Sequence, residues 1–400
     1  MPHKRSRHVY TAFLKRLSFF RVVSIQGARQ TGKSFLAREI LAKENKKSLY
    51  LTFDHAATKD KAQRGPDTFI LEYEDYKPVI LDEAQKVPAI FDAVKLHVDH
   101  DTGPGQFVLL GSAEFSKEMH IRESLTGRLG RIRIYPFNLA EAGQKPPNPV
   151  KSFTLVQATP RFSRKGLLKY LQNGGFPGIF YIHGLAERQA LLDDWLRLVL
   201  ERDLHQFLNL KVDSELSLKI VNELANAEHP AAAQIAKRQR VTTQKVTRIL
   251  TLLKSLFVIH ELRPHRLGSG KARYLLCDAG LATHLGASRA RSLATWLVLE
   301  FMSQHAYRGT HGLTLSYYRS ARGGIIDFVI ENRDQEIAAF KIIDRETRAT
   351  VDQRELEILR AFKIKCIKDG YKKVFLYALA PVNHAWTDDE VSIIPWESIG

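Results

Sequence analysis

The amino-acid sequence predicts an α/β protein in which the first 145 residues form a mostly parallel sheet covered by helices. Short apolar runs alternate with stretches whose apolar residues recur at helical spacing, a pattern typical of parallel strands joined by helices. Polar residues directly follow several of these runs, and open sheets of this kind bind ligands at the carboxyl ends of their strands. The five predicted strands are Val22 to Gln26, Ser48 to Phe53, Val79 to Leu81, Phe107 to Leu110 and Ile132 to Tyr135.

The composition is that of a globular protein with an unusual charge. The chain has 400 residues, which is too many for one ordinary hydrophobic core. Of these residues, 44% are hydrophobic, as in an ordinary globular protein. Its formal net charge of +17 favours a polyanionic partner, nucleic acid before a membrane. Lys15, Arg16 and Arg21 interrupt the only candidate apolar leader, and Cys277 and Cys366 have no metal-ligand or redox spacing. We therefore expect a cytoplasmic protein that does not bind membranes.

A glycine-rich loop follows the first predicted strand. The residues GARQTGKS occupy positions 27–34 and lead into a helical stretch. Gly27 and Gly32 permit a tight turn with inward N–H groups, and the helix adds its positive dipole end. This pattern predicts a phosphate-binding loop for ATP, in which Lys33 reaches the β- and γ-phosphates and Ser34 ligates Mg²⁺. The predicted nucleotide-binding residues are Gly27, Ala28, Arg29, Gln30, Thr31, Gly32, Lys33, Ser34 and Phe35.

Two carboxylates end the third predicted strand. Asp82 and Glu83 follow an apolar run. Burying an unpaired carboxylate costs free energy, so this pair suits a magnesium–nucleotide site better than a packed core. We expect Asp82 to hold the metal and Glu83 to orient or deprotonate the attacking water, although such a pair can also be a helix N-cap. Ser112, after the fourth strand, is expected to hydrogen-bond the γ-phosphate or that water. With Lys33, these residues predict ATP hydrolysis.

An arginine precedes the fifth predicted strand. Arg128 closes the stretch SLTGR at 124–128, and we expect it to stabilise charge on the transferring phosphoryl group. It would act either within its own chain or from a neighbouring subunit of a homo-oligomer. Arg131 is the second candidate. A solvated basic loop is the alternative interpretation, because basic loops are common in a chain this positive.

Residues 231–275 contain ten basic residues and a single acid, Glu261. Their pattern predicts a winged helix, with two helices followed by a basic hairpin. The predicted elements are Ala231 to Gln239, Gln244 to Leu256, Phe257 to Leu262 and Ala272 to Leu276. The residues expected to contact the phosphates of duplex DNA are Gln244, Lys245, Arg248, Arg266 and Lys271. The alternative is a helical domain that docks onto an acidic protein surface.

Taken together, the motifs resemble a known family. GARQTGKS, VILDEA, LLGS and SLTGR, followed by NGGFP at 173–177 and ERDL at 201–204, are similar to motifs of prokaryotic AAA-type ATPases fused to a C-terminal domain of unknown function. The resemblance implies an ATPase core, a helical connector, a winged-helix segment and a terminal domain similar to PD-(D/E)xK nucleases. On this basis we expect four domains, at 1–145, 146–213, 214–288 and 289–400.

The terminal domain departs from the nuclease pattern. Glu300, Asp327 and Lys341 follow its order of acidic helix, aspartate and lysine, but Ala339 stands where those enzymes place a second carboxylate. Because a lost oxygen ligand weakens a magnesium site, we expect a degenerate nuclease fold. The sequence therefore favours an ATPase whose nucleotide cycle controls a DNA-contacting module. The alternatives are an ATP-regulated nuclease and a nucleotide-gated protein-interaction switch that never touches nucleic acid.

Overall fold

The computed structural model describes residues 5–41, 47–114, 125, 127–206, 212–227, 230–344 and 353–400. Of the SLTGR stretch, Ser124 and Thr126 lie outside these described residues. The contacts that residues make with one another in space divide the chain into two compact units. The first extends to Pro136 and includes 255–258 and 306–309, and the second comprises 137–254, 259–305 and 310–400.

Five parallel strands form the centre of the first unit: β1 (Val22–Gln26), β2 (Leu49–Thr52), β3 (Val79–Asp82), β4 (Phe107–Gly111) and β5 (Leu129–Arg133). Their order is β2-β3-β4-β1-β5, so the chain leaves β1 at the carboxyl edge between β4 and β5. All five predicted strands are confirmed, although β5 begins earlier than predicted. Its early part includes Gly130, which has no apolar side chain to mark it and lies against the ring of Phe20.

Helices flank this sheet because its strands are apolar on both faces. They are α1 (Val9–Leu17), α2 (Lys33–Phe35), α3 (Ala56–Arg64), α4 (Pro66–Glu72) and α5 (Ile90–His100), and wider helical turns continue α2 over Leu36–Leu41. Phe53, Phe69, Phe91 and Phe107 are buried in the core between strands and helices. Each such ring stabilises the fold by roughly 1.5–3 kcal/mol. This core holds the strand ends, and thus the loops that follow them, in fixed positions.

The second unit contains a mixed sheet of eight strands. They are β6 (Ile259–Pro264), β7 (Arg273–Leu276), β8 (Thr314–Arg319), β9 (Ile325–Glu331), β10 (Glu336–Ile342), β11 (Lys373–Ala380), β12 (Trp386–Asp388) and β13 (Val391–Pro395). Their order is β12-β13-β11-β10-β9-β8-β6-β7. Along β10, Ala338 and Phe340 lie in one core, while Ile337 and Ala339 lie in another. The sheet is therefore covered on both faces.

The helices of this unit are α6 (Leu139–Ala142), α7 (Arg164–Asn173), α8 (Leu185–Arg197), α9 (Leu204–Gln206), α10 (Ser214–Asn226), α11 (Ala232–Gln239), α12 (Thr243–Ser255), α13 (Ala279–His284), α14 (Arg289–Arg308) and α15 (Gln353–Lys368). The last residue of α12 and the last turn of α14 group with the first unit. In the part of the chain that the structure describes, no helix combines the length and the apolarity needed to cross a membrane.

Most residues of the three predicted C-terminal domains, 146–213, 214–288 and 289–400, fall in this unit, whereas 255–258 and 306–309 group with the first unit. A strand pairing joins two of the predicted domains. Arg263 and Pro264 of β6 pair in parallel with Ser316 and Tyr317 of β8, so the predicted wing hairpin extends the sheet of the terminal segment. This pairing joins strands that are far apart in the sequence, and local sequence patterns do not indicate it. The first unit's long N-terminal segment ends at Pro136, and the domain boundary at 145 stays a prediction.

Candidate functional site

The loop at residues 27–34 lies between β1 and α2, at the carboxyl edge of the first sheet. Gly32 has a φ of 90°, in the left-handed region that glycine adopts at little cost. At Gly27 a Cβ atom would lie 2.2 Å from the carbonyl oxygen of Ile134, so only glycine fits there. The two glycines of the motif thus serve different purposes, a turn and a close approach of two backbones.

Lys33 folds back onto its own loop. Its Nζ donates hydrogen bonds to the backbone carbonyls of Gly27 and Ala28, each at 2.9 Å. Thr31 Oγ1 donates to the same Ala28 carbonyl at 2.8 Å. Lys33 is 5% exposed and is the first residue of α2, where backbone N–H groups have no partner within the helix. The loop therefore brings an ammonium and the first N–H groups of a helix together, which is what a phosphate needs.

Tyr50 links the two predicted magnesium ligands. Its hydroxyl donates to Asp82 Oδ2 at 2.5 Å and also lies near the side chain of Ser34. Burial, followed by the hydrogen bond to Asp82, raises the pKa of Tyr50 well above its ordinary value, so the phenol keeps its proton at neutral pH. Hydroxyl and carboxylate oxygens are ligands that Mg²⁺ prefers, and the residues present fit that ion. The sequence offered no signal for Tyr50.

Glu83 and Ser112 are in contact. Glu83 has a φ of 55°, a conformation that costs a non-glycine residue roughly 1–3 kcal/mol and that is common at functional sites. Its Oε2 accepts hydrogen bonds from Ser112 Oγ, at 3.2 Å, and from Gln85 Nε2. Gln85 Nε2 also lies 3.3 Å from Ser112 Oγ. The predicted base is thus held by a serine that the sequence singled out and by a glutamine that it did not.

Arg128 lies at the other edge of the sheet. Its backbone carbonyl accepts from the N–H of Val22, the first residue of β1, whereas the loop follows the last residue of that strand. Five strand residues separate the two edges by about 16 Å. The side chain forms an ion pair with Asp99. This placement does not allow Arg128 to act on the loop of its own chain; action from a neighbouring subunit stays a prediction. Arg131 is exposed within β5.

A lysine-bearing loop, a serine and two carboxylates at the carboxyl edge of a parallel sheet define a P-loop nucleotide site. Residues 20–143 match the model of a family described as AAA domain. Residues 164–292 match that of a domain of unknown function, DUF8612. Most of the first unit is therefore similar to AAA domains, and the residues at its sheet edge are of the types that a P-loop ATPase uses.

Two curated mycobacterial proteins are similar to this chain. They are Uncharacterized protein Mb2031c of Mycobacterium bovis and Uncharacterized protein Rv2008c of Mycobacterium tuberculosis, each 25% identical over 252 residues, or 62% of this chain and 51% of the relative. The chain thus spans about half the length of the curated relatives it matches. Among solved structures, the Walker-type ATPase PABY2304 of Pyrococcus abyssi is similar over 70% of this chain and 95% of its own, with 14% identity and a TM-score of 0.44.

The predicted nucleic-acid residues lie in the second unit. The helices α11 and α12 and the hairpin of β6 and β7 are present within a few residues of their predicted bounds. On α12, Val246 and Ile249 are buried, whereas Gln244, Lys245 and Arg248 are exposed, as the helical pattern indicated. Arg266 and Lys271 are exposed between the two strands of the hairpin.

Carboxylates neutralise part of this basic segment. Five of its ten basic side chains form ion pairs: Lys245 with Asp213, Arg238 with Glu223, Arg266 with Asp369, and Lys254 and Arg263 with Glu261. Three of those acids lie outside residues 231–275, so counting charges along that stretch overestimated its excess. Arg273 is buried over the ring of Tyr317. The other cations are exposed: Lys237, Arg240, Arg248 and Lys271.

A second group of basic side chains was not anticipated. Arg164, Lys165, Lys169, His183 and Arg188 line an open groove of about 610 Å³. Its described lining contains no carboxylate, although Arg164 pairs with Glu397 at 3.6 Å. Arg164 and Arg188 donate to backbone carbonyls, which fixes their side chains. Lys165 and Lys169 are exposed one helical turn apart on α7. This groove adds positive surface to the second unit outside residues 231–275.

The residues behind the nuclease resemblance have different partners. Lys341 Nζ lies 3.5 Å from Asp327 Oδ2. Glu300 is buried and accepts hydrogen bonds from the backbone N–H of Leu139, at 3.0 Å, and from Gln304, at 2.6 Å. Burial raises the pKa of Glu300 to about 7. The contact with Leu139 anchors the first residue of α6, and Glu300 therefore has a structural role where the resemblance implied a metal ligand.

Proposed function

We propose that the protein is a magnesium-dependent ATPase whose nucleotide cycle controls a basic, DNA-contacting surface of the second unit. The observation that carries the ATPase is the convergence of Ser34, Asp82 and Glu83 beside the loop that contains Lys33. Each of these residues supplies a group that phosphoryl transfer to water requires.

Phosphate binding, metal binding and water activation are assigned to different residues of the site. Lys33 and the backbone N–H groups of the loop bind and orient the β- and γ-phosphates. Ser34 and Asp82 would hold Mg²⁺, which neutralises phosphate charge when it is bound. Glu83, held by Ser112 and Gln85, accepts a proton from the attacking water.

The DNA-contacting role is supported by exposed cations. Arg248 on α12 and Lys271 in the hairpin carry charges that can neutralise phosphates, and Lys165 and Lys169 add a second cationic surface. An ATP-regulated nuclease is less well supported, because Glu300 is engaged by Leu139 and Ala339 replaces a carboxylate. A protein-interaction switch is the remaining alternative, since winged helices also contact proteins.

ATP turnover measured with and without duplex DNA tests both parts of the proposal. Lys33→Ala should abolish ATP binding, whereas Glu83→Gln should bind ATP without turnover, because only water activation is removed. Glu74→Gln, which alters an exposed carboxylate, is the matched control. Duplex DNA should change the turnover rate severalfold. A Glu83→Gln protein that hydrolyses ATP at the wild-type rate would refute the assigned base, and turnover indifferent to DNA would refute the coupling.

A further inference from the structure

We infer that Arg7 is a positioning residue for the phosphate-binding loop and that it links this loop to Tyr307. The inference rests on the proposed ATPase function, because it concerns the same loop. Arg7 precedes α1, lies outside the segment that matches the AAA domain, and is only 4% exposed. Its Nη1 donates to the carbonyl of Thr31 at 2.6 Å, and its Nη2 donates to the carbonyl of Tyr135 at 2.7 Å.

The bond to Thr31 determines the direction of a phosphate-binding donor. In a planar trans peptide, the carbonyl and the following N–H point in opposite directions. Because the Thr31 carbonyl faces Arg7, the N–H of Gly32 faces away from Arg7. Gly32 is a glycine of the phosphate-binding motif, and loops of this kind bind phosphate through such N–H groups. Arg7 therefore presets the orientation of one donor before any nucleotide arrives.

The Arg7 guanidinium also connects the loop to the residues that follow β5. Ile134 and Tyr135 follow that strand, and the carbonyl of Ile134 already lies against Gly27. Arg7 adds a bridge from Tyr135 to Thr31 at the far end of the loop. A planar fork with two donor nitrogens fits two carbonyls at once, whereas a lysine ammonium is a single point. Both ends of the loop are thus fixed to the same short stretch.

Tyr307 completes the cluster. Its hydroxyl accepts from the backbone N–H of Tyr135 at 3.0 Å and from Arg7 Nη2 at 3.4 Å. Its ring, 7% exposed, packs edge to face on Tyr135 with centroids 6.3 Å apart. Tyr307 lies in the last turn of α14, whose residues up to His305 group with the second unit. A change at Thr31 on nucleotide binding would therefore reach the end of that helix through Arg7.

Nucleotide affinity and thermal stability, measured on the same full-length variants, test this role. We expect Arg7→Ala to raise the Kd of a fluorescent magnesium-ADP analogue and the KM for ATP at least tenfold, with a smaller change in kcat. Arg7→Lys should recover part of the affinity, because an ammonium can reach one of the two carbonyls. Lys15→Ala, an exposed cation on α1, is the matched control and should bind as the wild type does.

Different results would refute the positioning role of Arg7, its link to α14 and the proposed ATPase site. If Arg7→Ala folds with an unchanged melting temperature and an unchanged Kd, the positioning role is refuted. Where Arg7→Ala does not fold, Arg7→Lys decides, and wild-type affinity in that variant refutes the role. Tyr307→Phe removes only the hydroxyl, and an unchanged Kd in that variant refutes the link to α14. Nucleotide binding by Lys33→Ala would instead refute the proposed ATPase site itself.

Discussion

Tyr50 donates its hydroxyl hydrogen to the carboxylate of Asp82, so a phenol engages an oxygen that the proposed ATPase requires for magnesium. The two residues lie on the neighbouring strands β2 and β3. Because the pKa of Tyr50 is raised, this donor persists at neutral pH. In the proposed ATPase, we therefore expect Tyr50 to compete with magnesium for Asp82.

Tyr50→Phe should lower the Mg²⁺ concentration for half-maximal ATP turnover by at least about threefold. A hydrogen bond to a charged group is worth roughly 1.5–3 kcal/mol, and part of that energy must be given up when the carboxylate turns to a cation. A magnesium titration of turnover measures the effect, with Tyr76→Phe, at an exposed tyrosine, as the control. An unchanged magnesium requirement would mean that Tyr50 and the ion use different oxygens of Asp82.

Glu300→Gln should flatten the dependence of stability on pH between about pH 6 and 7. Burial raises the pKa of Glu300 to about 7, above the 4.5 of a free glutamate, so the folded chain binds this proton more tightly than the unfolded chain does. The resulting stabilisation is complete below about pH 4.5 and is lost as the pH rises towards 7. Its full size is roughly 3–4 kcal/mol, from about 1.4 kcal/mol for each pKa unit.

Urea unfolding at several pH values measures this effect. The buried Asp278 also has a raised pKa, about 6, so it adds a loss of stability of the same sign that overlaps the loss from Glu300. This contribution is present in both proteins, so the difference between the wild-type and Glu300→Gln slopes between about pH 6 and 7 reports Glu300. Glutamine resembles the protonated acid. Gln304 Oε1, which is buried and has no hydrogen-bond partner among the described residues, can accept from its amide after a flip. If Glu300→Gln keeps the wild-type slope there, the assignment is wrong.

Arg248→Ala should weaken duplex binding more than Lys245→Ala does. Lys245 is held by Asp213 at 3.0 Å, whereas Arg248 is exposed one helical turn later. If about six phosphates are engaged, affinity should fall roughly 10³-fold between 50 and 200 mM salt. Arg248→Ala should reduce the salt slope by about one unit, and Lys245→Ala by less. Binding indifferent to salt would contradict phosphate recognition by this surface.

Arg128 should act, if it acts in catalysis, on the ATP of a neighbouring subunit. A mixture of Lys33→Ala and Arg128→Ala proteins should then regain part of the lost turnover, because each variant supplies an intact half of a shared site. Asp99→Ala is a useful companion variant, since it releases Arg128 from its ion pair without removing it. A strictly monomeric enzyme with full activity would rule out this arrangement.

Local patterns were sufficient for much of the first unit. The apolar run before Gly27 and the acids after Leu81 can be recognised along the chain, and the position of Ser34 and Asp82 beside Tyr50 follows from parallel strands that end at one edge. Arg7 and Tyr50 were missed, because their partners lie on other elements and neither residue type is unusual where it stands. What determines their roles is the tertiary packing, which no spacing along the sequence encodes.

Tertiary packing also determines which cations of residues 231–275 are neutralised. The helical period placed Gln244, Lys245 and Arg248 on the exposed face of α12, as observed. It did not indicate that Asp213, at the start of α10, would neutralise Lys245. Counting charge along a stretch treats every cation as available, whereas folding brings carboxylates from elsewhere to some of them.

The pairing of Arg263 and Pro264 with β8 limits where the chain can be divided into stable fragments. A fragment that ends at residue 288 would remove β8 and leave the side of β6 with unpaired N–H and carbonyl groups. Such an exposed strand invites self-association, so the fragment should aggregate. An exchange of the basic hairpin between relatives would likewise have to carry residues 314–319 with it, and the two segments should therefore be inherited as a unit.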